Sequence, residues 1–215
     1  MMIHSSVGNN QKNKKELLLL IGYPIIAMSI SLPGFGNSTG PDDFGGKKSV
    51  KSISRAISYL SKMNSSRERS IFLYAKEFGA NAAINAAIQN PEVQLVIVEN
   101  GIFQPRRVVR QIPRNIRFKL KNFLADGDYK INFRSSLKEI EKLQTPIFII
   151  QNAKGKDYEL KQQNKLIASL KLHKKRYKVM KIREKTKKLF FQRIIIKKRI
   201  LPIIEKHINN EIKYN

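Results

Sequence analysis

The sequence predicts an α/β fold built around a mostly parallel sheet. Short apolar runs rich in Ile, Leu and Val recur at residues 25–31, 70–74, 93–98 and 146–150, and a run of alternating character follows at 176–182. Between several of them lie segments whose apolar residues fall at helical spacing, and strands separated by helices are joined by crossovers that set them side by side and parallel. Of the 215 residues, 41% are hydrophobic and 27% charged, a balance that fills a core and sets aside wholesale disorder and fibrous architectures. The length suits one domain, read as residues 1–208 with a basic insertion or cap at 103–130 and a polar tail at 209–215.

Residues 1–3 are enough for a strand stump only, and residues 5–13 form a polar loop. Residues 14–21 read as a helix ended by Gly22, which offers a left-handed cap. The strand 25–31 follows, apolar enough to be buried on both faces. Pro33, Gly34, Gly36, Gly40 and Pro41 then mark an irregular loop. Residues 49–63 form a helix with Val50, Ile53, Ala56, Ile57 and Leu60 on one face. The strand 70–74 runs with almost no linker into an Ala-rich helix at 80–89, and the strand 93–98 comes next. After the insertion come a helix at 135–143, the strand 146–150 and the last strand at 176–182. The tail 188–208 reads as one basic amphipathic helix, interrupted or kinked at Pro202.

The most apolar stretch, 17–32, follows Lys12, Lys14 and Lys15 and so has the outline of an export signal. It opens behind Glu16, is broken by Gly22, Pro24, Ser29 and Ser31, and falls short of the roughly 20 apolar residues that a spanning helix needs. No small-residue cleavage site follows. No transmembrane segment is expected, and the protein is placed in the cytoplasm. With no cysteine, disulfides, thiol nucleophiles, iron-sulfur clusters and cysteine-zinc sites are excluded.

The charge is lopsided. Net charge is +26, and residues 1–100 carry 11 basic and 7 acidic side chains against 31 and 9 in residues 101–215. An anionic partner for the second half is one reading. Lysine enriched together with Ile and Asn is also what AT-rich codons produce, and solvated Lys costs little on a surface.

Gly22-Tyr23-Pro24 before a strand, Leu32-Pro33-Gly34-Phe35-Gly36-Asn37-Ser38-Thr39-Gly40 after it, and Leu73-Tyr74-Ala75-Lys76-Glu77-Phe78-Gly79-Ala80 at a strand-to-helix junction form an ordered series, continued by residues 91–98 and 145–157. Over most of residues 2–182 this series resembles the α/β-hydrolases, particularly the dienelactone-hydrolase and prolyl-oligopeptidase-like branch. The resemblance implies a three-layer α/β-hydrolase-like fold of about six strands that lacks the family's first strands. The strand 25–31 would then present an apolar edge, as a gene remnant or internally started fragment would.

The family's nucleophile lies in G-x-S-x-G, a turn so sharp that the flanking residues must be small. The corresponding frame is Ala75-Lys76-Glu77-Phe78-Gly79, so the steric part is kept and Glu77 takes the nucleophile position. A carboxylate can attack, but its covalent product must be cleared by water that a His activates. The resemblance puts the acid at Asp157 and the His just after the strand 176–182, where the chain reads Arg183-Glu184-Lys185-Thr186. His173 precedes that strand, and His207 lies far down the tail. For the oxyanion hole the resemblance implies the backbone N–H of Phe78 and, from Ile3-His4-Ser5-Ser6, that of Ser5, where the family has Gly.

Arg106, Arg107, Arg110 and Arg114, followed by Arg117, Lys119 and Lys121 and flanked by Phe103, Phe118 and Phe123, are the anion-binding candidates. Charge with aromatics suits single-stranded nucleic acid, although no RNA- or DNA-binding motif accompanies it, and a solvated cap helix is the plainer reading. The amphipathic tail suits either an anionic membrane surface or the closing helix of the fold. Gly34, Gly36 and Gly40 match no nucleotide loop, and three scattered His make no metal site, so neither a cofactor nor a metal is expected. The expectation is a relative of serine esterases and peptidases, acting on a small ester or peptide if active but impaired or inactive, with a basic module for nucleic acid or anionic membrane as the alternative.

Overall fold

The computed structural model describes residues 2–3, 23, 25–63, 70–125, 133, 135–183 and 200–215. The sheet follows the order β2-β1-β3-β4-β5-β6 and every pairing is parallel, with β1 (Met2–Ile3), β2 (Ser29–Ile30), β3 (Ile71–Lys76), β4 (Val93–Glu99), β5 (Ile147–Asn152) and β6 (Tyr177–Ile182). The helices are α1 (Lys47–Met63), α2 (Phe78–Gln89), α3 (Pro105–Val108), α4 (Arg114–Ala125), α5 (Asp157–Leu172) and α6 (Leu201–Ile208). β5 is buried along its whole length, as a central parallel strand covered on both faces must be.

Side-chain alternation along the strands builds two cores. On one face Leu73, Ala75, Val96, Val98, Ile147 and Ile149 meet Ile53 and Ile57 of α1, Ala83 and Ile84 of α2, and Leu166 and Leu170 of α5. On the other, Tyr74, Leu95, Ile97, Phe148, Ile150 and Ile182 meet Ile200 and Ile203. A third cluster joins Phe44, Phe78 and Tyr158 to Val108, Ile112, Ile116 and Leu120 of the insertion, which therefore covers the carboxyl end of β3.

Several expectations are corrected. Among the described residues, Ser29 and Ile30 are the part of the strand foreseen at 25–31 that pairs, with Met2 and Ile3 of β1; Ile25 and Ile26 are exposed rather than buried on both faces. The helix foreseen at 135–143 is two 3₁₀ turns, Ser136–Lys138 and Ile140–Lys142. Leu137, Ile140 and Leu143 recur at intervals of three, the period of a 3₁₀ helix and not of an α-helix. α5 was not foreseen at all. Pro202 is the second residue of α6, and Ile200 before it also has helical backbone angles; the foreseen stretch 188–199 and the foreseen helix 14–21 lie outside the described residues. The last residues are docked: Ile212 and Tyr214 pack on the second core, and the Asn215 N–H donates to the Tyr177 carbonyl at 2.9 Å. Among the described residues no helix is long and apolar enough to cross a membrane.

Candidate active site

The strand-to-helix turn after β3 is built by backbone. Glu77 has φ 47° and ψ −123°, a region that costs a non-glycine residue about 1–3 kcal/mol and persists only where the surroundings impose it. Three hydrogen bonds impose it here. The Glu77 N–H donates to the Glu99 carbonyl at 3.1 Å, and the Glu77 carbonyl accepts from the N–H groups of Ile102 at 3.0 Å and Ala80 at 3.2 Å. Ala75, Ala80, Ala82 and Ala83 are fully buried, and these small side chains let the start of the helix lie close against the sheet. Asn81, also fully buried, ties the turn to its neighbours: its Nδ2 donates to the Gly45 carbonyl at 3.0 Å and its Oδ1 accepts from the Ser136 N–H at 2.8 Å.

Phe78 opens α2, so its N–H has no acceptor within the helix, as an oxyanion donor requires. Its ring is buried edge-on against Phe44 at 5.2 Å between centroids, and Phe44 meets Phe123 of α4 at 5.5 Å. Ser5, the other expected donor, lies outside the described residues.

Around Glu77 the structure gathers residues that sequence reasoning missed. The Lys156 Nζ lies 3.2 Å from the Tyr158 hydroxyl, to which it donates, and 3.7 Å from Glu159 Oε1. Burial opposes the charge on Lys156, but the Tyr158 hydrogen bond and the negative charges of Glu159 and Glu77 outweigh it and its pKa is raised. Burial raises the Tyr158 pKa too; Glu159 and Glu77 add to the effect while Lys156 opposes it. Glu159 is buried beneath the loop 152–156, where it accepts from the Lys156 N–H at 3.4 Å.

Asp157, expected in a loop, is the first residue of α5. It is exposed and forms an ion pair with Lys161, one turn on, at 2.6 Å. The arrangement therefore brings Glu77 near Lys156 and Tyr158, while the Asp157 carboxylate is engaged at the surface.

The two described His are at the other end of the sheet. His173 caps α5 ahead of β6, at the amino ends of the parallel strands. His207 packs edge-on against Phe72, the second residue of β3, with Nδ1 2.7 Å from the Tyr214 hydroxyl. Five residue steps along the strand separate Phe72 from Glu77, about 16 Å. Burial, with Arg176 adding to it, lowers the His207 pKa. His4, the third, lies outside the described residues.

One more acid borders the turn. Glu99, buried at the end of β4, accepts from the Tyr74 hydroxyl and has Lys76 Nζ at 3.8 Å. The arginine candidates lie on the covering insertion: Arg106 and Arg107 on α3, Arg110 in the following turn and Arg114 at the start of α4, all exposed. Among the described residues no group of three or more His, Asp or Glu could hold a metal ion.

No protein-family model matches the sequence, and no curated protein does. Solved structures do match. The chain is similar to esterase B from Lactobacillus rhamnosis, at 13% identity and a TM-score of 0.71 over 98% of this chain and 77% of that one. It is similar to the acetyl xylan esterase from Paenibacillus sp. R4, at 14% identity and a TM-score of 0.69 over 95% and 73%. The acylaminoacyl peptidase from Pyrococcus horikoshii matches at 18% identity and a TM-score of 0.57, over 73% of this chain and 27% of that one. All three are α/β-hydrolase-fold enzymes, and the chain has that fold.

Proposed function

We propose that the chain descends from serine hydrolases of ester or peptide bonds and keeps the nucleophile turn without the proton chemistry that made it catalytic. The observation that carries this reading is the company of Glu77. Attack by its carboxylate would leave a covalent intermediate that water must clear, and water needs a base. Lys156 and Tyr158 beside Glu77 both have raised pKa values and so hold their protons at neutral pH, and the neighbouring carboxylates are engaged, Glu159 by the Lys156 N–H and ammonium and Glu99 by the Tyr74 hydroxyl and the Lys76 ammonium. Both described imidazoles sit at the opposite end of the sheet. The substrate class, should any turnover remain, is a small ester or peptide. The test is turnover of p-nitrophenyl acetate by the chain and by Glu77→Ala. Both are expected to match buffer alone; turnover lost on Glu77→Ala would establish the competing reading, hydrolysis with Glu77 and Asp157 in altered roles.

A second reading, an anion-binding surface on the insertion, is favoured by one feature. Residues 100–125 carry seven basic and no acidic side chains. Phe118, on the same helix face as Arg114 and Lys121, is 68% exposed. Burial, and then the charge of Arg107, lowers the Lys165 pKa, as expected where cations meet without an acid between them. Binding of a fluorescent oligothymidylate or of phosphatidylserine vesicles should fall steeply with salt. Negligible binding of both at low ionic strength would remove this reading.

A further inference from the structure

The loop ahead of α1 and the covering helix α4 border a half-open cavity of about 390 Å³, within the range of small-ligand sites. Its lining has two electrical ends. Asp42, Lys48 of α1 and Lys119 of α4 are its charged lining residues, and Phe44 and Phe123 line it as well. Asp43 also borders the cavity, but both its oxygens are engaged at the start of α1: Oδ2 accepts from the Ser49 N–H at 2.9 Å, and Oδ1 from the Ser49 hydroxyl. Asp42 differs. Its Oδ1 accepts from the Phe44 N–H at 2.8 Å, and among the described residues it has no ion-pair partner; neither have Lys48 and Lys119. An acid and two cations thus line one chamber without touching.

We propose that this cavity binds a small zwitterion of the α-amino-acid class, its ammonium on Asp42, its carboxylate on Lys119 and Lys48, and its apolar body against Phe44 and Phe123. A ligand with an ammonium alone would meet the two lysines uncompensated, and one with a carboxylate alone would lie beside Asp42. A molecule carrying both groups satisfies both ends. The apolar wall is shared with the turn, since Phe44 packs on Phe78, but the charged groups Asp42, Lys48 and Lys119 are not among those around Glu77 and binding needs no catalysis there.

Burial holds the Asp42 carboxyl up at about 7, with Asp43 adding to the rise and the Phe44 N–H and Lys119 opposing it. An arriving ammonium favours the carboxylate, so binding releases a proton and tightens as pH rises toward 8.

Three probes of one shape separate the ends: L-phenylalanine, phenethylamine, which lacks the carboxylate, and 3-phenylpropanoate, which lacks the ammonium. Calorimetric titration of the full chain at pH 8 is expected to show phenylalanine binding about tenfold more tightly than either, one charge-assisted contact being about that much. Asp42→Asn should bring phenylalanine down to the level of 3-phenylpropanoate, and Lys48→Met combined with Lys119→Met to that of phenethylamine. Neither variant threatens folding, since Asn keeps the contact with the Phe44 N–H and both lysines are exposed. Equal affinity for all three probes, no binding of any, or phenylalanine affinity indifferent to both substitutions would overturn the proposal.

Discussion

Replacing Asp42 by Asn is expected to stabilise the protein by about 3 kcal/mol at pH 8 and by no more than about 0.5 kcal/mol at pH 4. The carboxyl has a pKa of about 7 in the fold against 3.8 for the ordinary group, chiefly through burial. The folded state therefore holds this proton more tightly than the unfolded chain does. Well below pH 3.8 both states are protonated and Asp42 carries no penalty. Between about 4 and 7 the unfolded chain ionises first, stability drains away, and above 7 the loss is complete. The full shift corresponds to about 4 kcal/mol, and the part of the side chain that still meets solvent brings the figure to about 3. Asn mimics the protonated form and still accepts from the Phe44 N–H. Chemical denaturation at the two pH values measures the difference; an equal effect at both would mean that the carboxyl ionises normally.

Gly45→Ala should destabilise by about 3 kcal/mol, the sum of a left-handed penalty of about 1–2 and an overpacking penalty of about 1–3. Gly45 has φ +82°, and a Cβ there would stand 2.3 Å from the Phe78 carbonyl oxygen and 3.5 Å from the Ala82 nitrogen. Neither neighbour can retreat, because both belong to the first turns of α2, which the hydrogen bonds at Glu77 hold in place. Asn81 further pins the Gly45 carbonyl. Gly40 is the control: its φ is +86° but its Cβ would meet nothing within 4 Å, so Gly40→Ala should cost about 1 kcal/mol, the backbone part alone. Equal losses at the two positions, read from urea midpoints, would show that the loop does not press on the turn.

What the chain declares in its own letters is steric and apolar. The long strands are runs of Ile, Leu and Val, and the turn at Glu77 announces itself because small residues, Ala75, Gly79, Ala80 and Ala82, flank a position where a bulky neighbour would collide. α5 escaped notice because its inward face is polar. Glu159, Gln162 and Gln163 lie there with Tyr158, Leu166 and Leu170, and their partners are remote: Gln162 Oε1 accepts from the N–H groups of Phe103 at 3.0 Å and Gln104 at 2.9 Å, and Gln163 Nε2 donates to the Ile150 carbonyl at 3.2 Å. A hydrophobic period cannot register contacts of that kind. Starting at Asp157, α5 turns that carboxylate toward Lys161 and carries Tyr158 and Glu159 inward, a division that helical spacing, once recognised, would have given.

Putting the hydroxyl back is the most direct measurement. Glu77→Ser places a serine on the retained turn, and a fluorophosphonate reports whether anything nearby still withdraws its proton. The chain with Glu77→Ser, shown by circular dichroism to be folded, is expected to remain unlabelled, because a serine flanked by a protonated Lys156 and Tyr158 is no more nucleophilic than one on the surface. Stoichiometric labelling of that serine would contradict the account, since it would mean that a working base still stands beside the turn.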